Sequence, residues 1–226
     1  MRTMFLVGLM VAFGALPALA QDVPLPPLEE QAVEESPSLK ALGQVQDYMA
    51  SVKSLKGSFL QTAPDKSVST GTLYMARPGK IRFDFEEGIP FLVVADGKTL
   101  NFVDYEIGQV SKWPVKDTPL RALLGDGFDA ASINARIEVA PHGVERVLAL
   151  TASDPENPEA GQITIYFEVV EDAPQPLKML SWVVLDAQGK TTTVEIFNQQ
   201  TNLELAKALW TFEDPRGIAK RRRTRR

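Results

Sequence analysis

Apolar and polar residues alternate with a period of two between Gly71 and Asp104. Leu73 and Met75 lie two apart, and Ile81, Phe83 and Phe85 repeat the spacing with Arg82 and Asp84 on the other side. That is the period of a strand with one buried face. Pro78-Gly79 separates the two runs; proline fixes φ and glycine accepts positive φ, so the pair predicts a turn. Two more strands, Phe91 to Ala95 and Thr99 to Asp104, are joined by Asp96-Gly97, a strong hairpin signal. The stretch reads as an antiparallel meander with large apolar side chains on one face.

The pattern extends both ways. Leu55 to Thr62 predicts a first strand, with Phe59 and Gln61 on one face and Ser58 and Leu60 on the other. Glu106 to Trp113 continues the meander, with Ile107 and Val110 as its apolar positions. Ile133–Ala140, Val144–Ala152, Gln162–Val170, Leu177–Asp186 and Lys190–Thr201 are five further strands, divided by turn residues such as Pro141-His142-Gly143 and Gln188-Gly189. Leu39, Leu42, Val45, Gln46, Met49 and Val52 follow helical spacing instead. After the N-cap signal Ser36-Pro37-Ser38 they predict a helix over Leu39–Ser54 whose stripe lies on the sheet. Thr118 to Gly125 reads as a short helix with a cap, an early proline and a glycine stop, too short to stand unpacked. Leu203 to Leu209 predicts a last helical piece, and Trp210-Thr211-Phe212 a closing extended one. No internal repeat occurs. The fold class is mainly β with helices (α+β): one strongly curved antiparallel sheet of ten or eleven strands, with helices on its concave face.

Several strands are apolar on both faces: Phe91 to Val94, Tyr166 with Phe167, and Trp182 with Val183 and Val184. A sheet covered on one side alternates cleanly. The excess fits either a lipid cavity or ordinary burial under helices and loops.

Composition narrows the function. Residues 1–20 carry Arg2, an apolar run from Met4 to Leu16 and the small-x-small pattern Ala18-Leu19-Ala20, which predicts a cleaved secretory signal. Residues 21–37 hold four prolines, four glutamates and one aspartate, a flexible leader by composition. The folded domain is placed at 38–217 and a basic disordered tail at 218–226. The absence of cysteine rules out disulfides, thiol nucleophiles and thiolate metal sites. Without Arg2 and the six basic residues of Lys220 to Arg226, 17 basic residues face 29 acidic ones, a net of −12. Nucleic acid is therefore not an expected partner of the domain.

Catalytic patterns are lacking. The single histidine, His142, stands in a predicted turn, and no G-x-S-x-G elbow, Walker or dinucleotide motif is present. The pairs Glu86-Glu87 and Glu29-Glu30 fall in a turn and in the leader. No enzyme, cofactor or metal site is expected. Arg77 stands out at a strand end before proline. It reads either as an exposed turn arginine or as a fork of donors reaching helix carbonyls or a ligand ester.

Against this background the chain resembles the periplasmic outer-membrane lipoprotein carrier family, LolA. The likeness rests on Gly57-Ser58-Phe59-Leu60-Gln61, Gly71-Thr72-Leu73-Tyr74, Arg77-Pro78-Gly79-Lys80-Ile81-Arg82-Phe83, Ala95-Asp96-Gly97-Lys98-Thr99-Leu100, Ile107-Gly108-Gln109-Val110 and Phe212-Glu213-Asp214-Pro215-Arg216-Gly217. It implies an incomplete, unclosed β-barrel of about eleven strands with helices forming a lid. It implies a monomeric periplasmic carrier that takes lipoprotein acyl chains from an inner-membrane ABC transporter to an outer-membrane receptor. Arg77 falls at the family's lid-closing arginine, and Ile81 and Phe83 at lipid-binding positions. The apolar residues Phe59, Leu73, Met75, Phe85, Phe91, Val93, Leu100, Phe102, Phe167 and Trp182 complete the candidate acyl contacts. The alternative is an envelope-stress or lipid-sensing regulator of related fold. The Pro-rich leader and Arg-rich tail depart from the family pattern.

Overall fold

The protein is described from a computed structural model, over residues 37–142 and 145–216. The expected signal segment, nearly all of the leader, the basic tail and Gly143 of the predicted turn lie outside the described residues.

Helix α1 (Pro37–Ser51) leads into strands β1 (Ser54–Thr62), β2 (Val68–Ala76), β3 (Lys80–Phe85), β4 (Phe91–Asp96), β5 (Thr99–Asp104) and β6 (Gln109–Pro114). A 3-10 turn (Val115–Asp117) and helix α2 (Arg121–Leu124) follow. The chain then forms β7 (Arg136–His142), β8 (Glu145–Ser153), β9 (Gly161–Val169), β10 (Leu177–Asp186) and β11 (Thr191–Thr201). All eleven strands make one antiparallel sheet in the order β6-β5-β4-β3-β2-β1-β11-β10-β9-β8-β7. The sheet does not close, because β6 and β7 are its two edges. Residues 115–135 connect those edges and carry α2.

Alternation puts Leu55 and Phe59 of β1, Leu73 and Met75 of β2, and Ile81 and Phe83 of β3 into one apolar cluster, and a β-bulge between Met179 and Ser181 of β10 lets Met179 and Trp182 join it, each at most 5% exposed. α1 contributes Ala41, Val45, Tyr48 and Met49, with Val52 just beyond it; α2 contributes Ala122, Leu123 and Leu124. Each fully buried large side chain is worth roughly 1.5–3 kcal/mol. The helices therefore stay in place through packing, since α2 is far below the length at which a helix is stable alone. Gly71 shows how close the fit is. A Cβ there would lie 2.1 Å from the Asp84 carbonyl oxygen and 2.8 Å from Cε1 of Phe59.

The outer face carries a second cluster. Leu92, Val94 and Val103 are buried beneath Val110 and Phe212. The C-terminal segment that brings Phe212 is strapped down by Arg82, whose Nη1 donates to the carbonyls of Leu209 and Thr211 at 3.0 Å each. Its Nε donates to Asp84 Oδ1 at 2.7 Å. The outward half of the apolar run at Phe91–Val94, Leu92 and Val94, is thus ordinary burial under this strap.

Several boundaries differ from the sequence reading. α1 stops at Ser51 because Asn202 holds its end: the Asn202 side chain accepts from Lys53 N (2.8 Å) and donates to Ser51 O (3.0 Å). Leu39 is 56% exposed, and the buried stripe runs through Ala41 and Tyr48 instead. Ile107 belongs to the β5–β6 turn, is 64% exposed, and precedes β6. Thr118 does not cap α2; its Oγ1 bonds back to Val115 O at 2.8 Å and closes the 3-10 turn. The segment expected as helix over Leu203–Leu209 is a 3-10 turn at Lys207–Trp210, which takes in Trp210.

Candidate functional site

Arg77 sits where β2 ends and the Pro78-Gly79 turn begins. Its Nε donates to Leu123 O of α2 at 3.0 Å, its Nη1 to Val52 O just past α1, and its Nη2 reaches Met49 Sδ at 2.9 Å. The guanidinium lies 5.9 Å from the centre of the Tyr48 ring. Two backbone bonds run alongside, Arg77 N to Lys53 O (2.8 Å) and Gly79 N to Leu124 O (2.7 Å). Carbonyls at helix C-termini have no partner within the helix, and a cation there is favourable. One residue of the sheet thus supplies donors to the C-terminal ends of both helices. Gly79 makes the approach possible: φ is +73°, and a Cβ would lie 2.4 Å from the Gly97 carbonyl oxygen.

Burial pulls the Arg77 guanidinium below its ordinary pKa, opposed by Tyr48. Burial likewise pushes the Tyr48 phenol up to about 12, opposed by the positive charge of Arg77. The Met179 backbone lies near that hydroxyl, yet no hydrogen bond of ordinary geometry forms. A buried hydroxyl without a partner costs about 1–3 kcal/mol. Tyr48→Phe is therefore expected to keep or raise stability by up to about 1 kcal/mol at neutral pH. The folded-state value lies above the ordinary one, so the neutral phenol's contribution is complete below pH 10 and disappears as pH rises toward about 12. Urea midpoints measured across that window should fall more steeply for the wild type than for Tyr48→Phe; parallel curves would refute the assignment.

The structure gathers most of the apolar candidates. Phe59, Leu73, Met75, Ile81, Phe83, Phe167 and Trp182 share the interior cluster, with Phe85, Val93 and Leu100 packed at its margin. Ring centres of Phe59 stand 5.1 Å from Phe83 and 5.3 Å from Phe85, and Phe83 stands 6.1 Å from Trp182. Phe91 and Phe102 are a separate pair, 5.6 Å apart, and Phe102 is 39% exposed. Tyr48, which stacks edge-on to Phe167 at 5.1 Å, and Leu123 of α2 were not among the expected residues. Tyr48 could have been found by continuing the helical period from Ala41 and Val45.

The lipid cavity offered as one reading of the doubly apolar strands does not stand open. Its inner space is filled by these side chains, and Phe59, Leu73, Met75, Ile81, Phe167 and Trp182 are all 0–1% exposed. A cleft of about 540 Å³ lies at the seam instead, between Pro78-Gly79, Gly97 to Thr99, Val115-Lys116 and Leu124-Gly125. Among the described residues no cluster of three metal-ligating side chains occurs, and no helix is long and apolar enough to cross a membrane.

Comparison with known proteins bears on what such a closed sheet-and-helix body is for. The family model for "Outer membrane lipoprotein carrier protein LolA" matches residues 50–213. An outer-membrane lipoprotein carrier protein of Bordetella avium is 27% identical over 79% of this chain and 85% of its own length. One from Methylococcus capsulatus is 27% identical over 77% of this chain and 84% of its own length. A solved LolA superfamily protein from Nitrosomonas europaea aligns over 77% of this chain and 97% of that chain, at 8% identity and a TM-score of 0.42.

Proposed function

The chain belongs to the outer membrane lipoprotein carrier protein family, and from that premise we propose that it is a periplasmic chaperone that carries lipoproteins by their acyl chains. The observation that carries this reading is the extent of the match. Residues 50–213 take in all eleven strands, α2 and Arg77. The finer steps of the proposal are uptake from an inner-membrane ABC transporter and delivery to an outer-membrane receptor.

The physical logic follows from a filled interior. Burying an acyl chain is worth about 0.8 kcal/mol per CH2. A preformed apolar hollow would collect all of that gain and release cargo slowly. Here α1 and α2 must first leave the sheet, and the acyl chains replace Tyr48, Leu123 and Leu124 against Phe59, Ile81, Phe83 and Trp182. The hydrogen bonds of Arg77 belong to the empty, closed state. Opening them costs free energy, which is subtracted from the affinity for cargo and keeps hand-over feasible. Arg77 is accordingly the lid-closing residue of the proposal, and the interior aromatics are the acyl contacts. Phe91 and Phe102 extend that surface toward solvent.

The test is extraction. Purified chain is incubated with spheroplasts that make a lipoprotein destined for the outer membrane. The lipoprotein should appear in the supernatant as a soluble complex with the chain. Release no greater than with buffer would refute the carrier function.

A further inference from the structure

Arg77 holds α2 from one side only. Arg121, the first residue of α2, holds it from the other. Its Nη1 donates to Asp154 Oδ2 at 3.1 Å and its Nη2 to Ser132 O at 2.6 Å. Asp154 lies in the turn between β8 and β9, and its second oxygen is already engaged, Oδ1 accepting from Glu156 N at 3.0 Å. The carboxylate is thus oriented before the arginine reaches it. Beside it, Ser153 N donates to Ile133 O at 2.9 Å and pins the same connection.

The two attachments of α2 belong to opposite halves of the sheet. Leu123 and Leu124 are bonded to the β2–β3 turn, in the run from β1 to β6. Arg121 is bonded to the β8–β9 turn, in the run from β7 to β11. α2 therefore bridges the gap left by the unclosed sheet and is tied down on each bank.

We propose that Arg121 and Asp154 form a second latch, a positioning pair that sets, together with Arg77, how readily the lid leaves the sheet. As a determinant of cargo release it rests on the carrier reading. The two latches differ in kind. Arg77 bonds to neutral carbonyls and a sulfur, whereas Arg121 bonds to a carboxylate. The pair is part-exposed, 29% and 22%, so added salt screens it. It also lies outside the apolar interior cluster, so breaking it frees α2 without opening a void in the core.

The chain has no cysteine, so lid opening can be read directly. Ala122→Cys places a thiol on α2 at a position that is 9% exposed. Its alkylation rate reports how often the lid leaves. Adding Asp154→Asn or Arg121→Gln to that background should raise the rate about tenfold, the size of shift expected when a two-state equilibrium loses one charged contact. The exchange Arg121→Asp with Asp154→Arg should bring it back, and added salt should speed alkylation in the parent but not in Asp154→Asn. Melting temperatures of the single variants should fall by only about 2–5 °C, the shift that a tenfold change in one equilibrium makes in a domain of this size. Unchanged alkylation in the single variants, or no recovery in the exchange, overturns the latch.

A cargo measurement separates this from the carrier reading. A fluorescent triacylated cysteine peptide is loaded onto the purified chain and its transfer to zwitterionic liposomes is followed. The single variants should transfer more slowly than the parent. If alkylation responds as stated but no variant takes up the peptide, the latch stands and the carrier reading falls. If the parent carries the peptide and the single variants transfer it equally fast, the latch plays no part in release and that role is refuted.

Discussion

Arg77→Leu is expected to turn a carrier that gives up its cargo into one that keeps it, with transfer slowed about a hundredfold. The side chain donates to the carbonyls of Leu123 and Val52 and reaches Met49 Sδ, all of them on or just past the two helices. Hydrogen bonds from a charged donor contribute about 1.5–3 kcal/mol each. Leucine supplies none of them and leaves two carbonyls to find water, which an opened lid offers. The closed state should lose roughly 3 kcal/mol relative to the open one, and each 1.4 kcal/mol is tenfold in apparent affinity. Apolar packing by leucine and relief from burying a guanidinium offset part of the global loss, so the variant should still fold. The measurement is the amount of lipoprotein that copurifies from a producing host, followed by its transfer to membranes. Cargo no more abundant than on the wild type would remove Arg77 from the lid.

The second large effect is on stability. Phe59→Ala should cost about 3–5 kcal/mol, a large share of the 5–15 kcal/mol typical of a whole domain. Phe59 is 1% exposed, meets Phe83 and Phe85 edge-on, and lies over Gly71 on the neighbouring strand. Truncation removes the ring contacts and leaves a void that β1, paired on both sides, cannot collapse to fill. Phe59→Leu should cost clearly less, because it restores most of the volume. Urea denaturation decides it: a loss under about 1 kcal/mol for the alanine variant would mean that the interior is looser than its burial implies.

Much of this architecture was legible in the residues. The alternation at Leu73, Met75, Ile81 and Phe83 put those side chains on the inner face, and the strand read at Leu177–Asp186 has those bounds. Turn chemistry located the hairpin at Pro78-Gly79 that carries Arg77 and the one at Asp96-Gly97 between β4 and β5. The stripe of α1 was misread because Leu39 is large and apolar; at 3.6 residues per turn it points about 160° away from Ala41, and it is exposed. The filled interior was not legible either. Alternation tells which face a side chain takes, but not whether the layer opposite comes into contact with it. Nor could Arg121 be linked to Asp154, which are brought together only when the connection from β6 meets the turn after β8. For Arg77, the residues alone favoured an exposed turn arginine over a donor fork, and seeing the fork needed the helices in place.

Nine of the ten strand pairings link neighbours in the chain; the tenth joins β1 to β11, with Leu55 opposite Thr201. Every other ladder can zip locally, but this seam waits for the two ends of the molecule to find each other, and the entropy of closing so long a loop makes such a contact late and slow. Until then β1 is an open strand edge, a template for pairing with another chain. Synthesis proceeds from the N-terminus, so β1 is among the first strands made and its partner the last. The moment of greatest vulnerability to aggregation is therefore built into the strand order, and a chain cut short before Thr191 would never leave it.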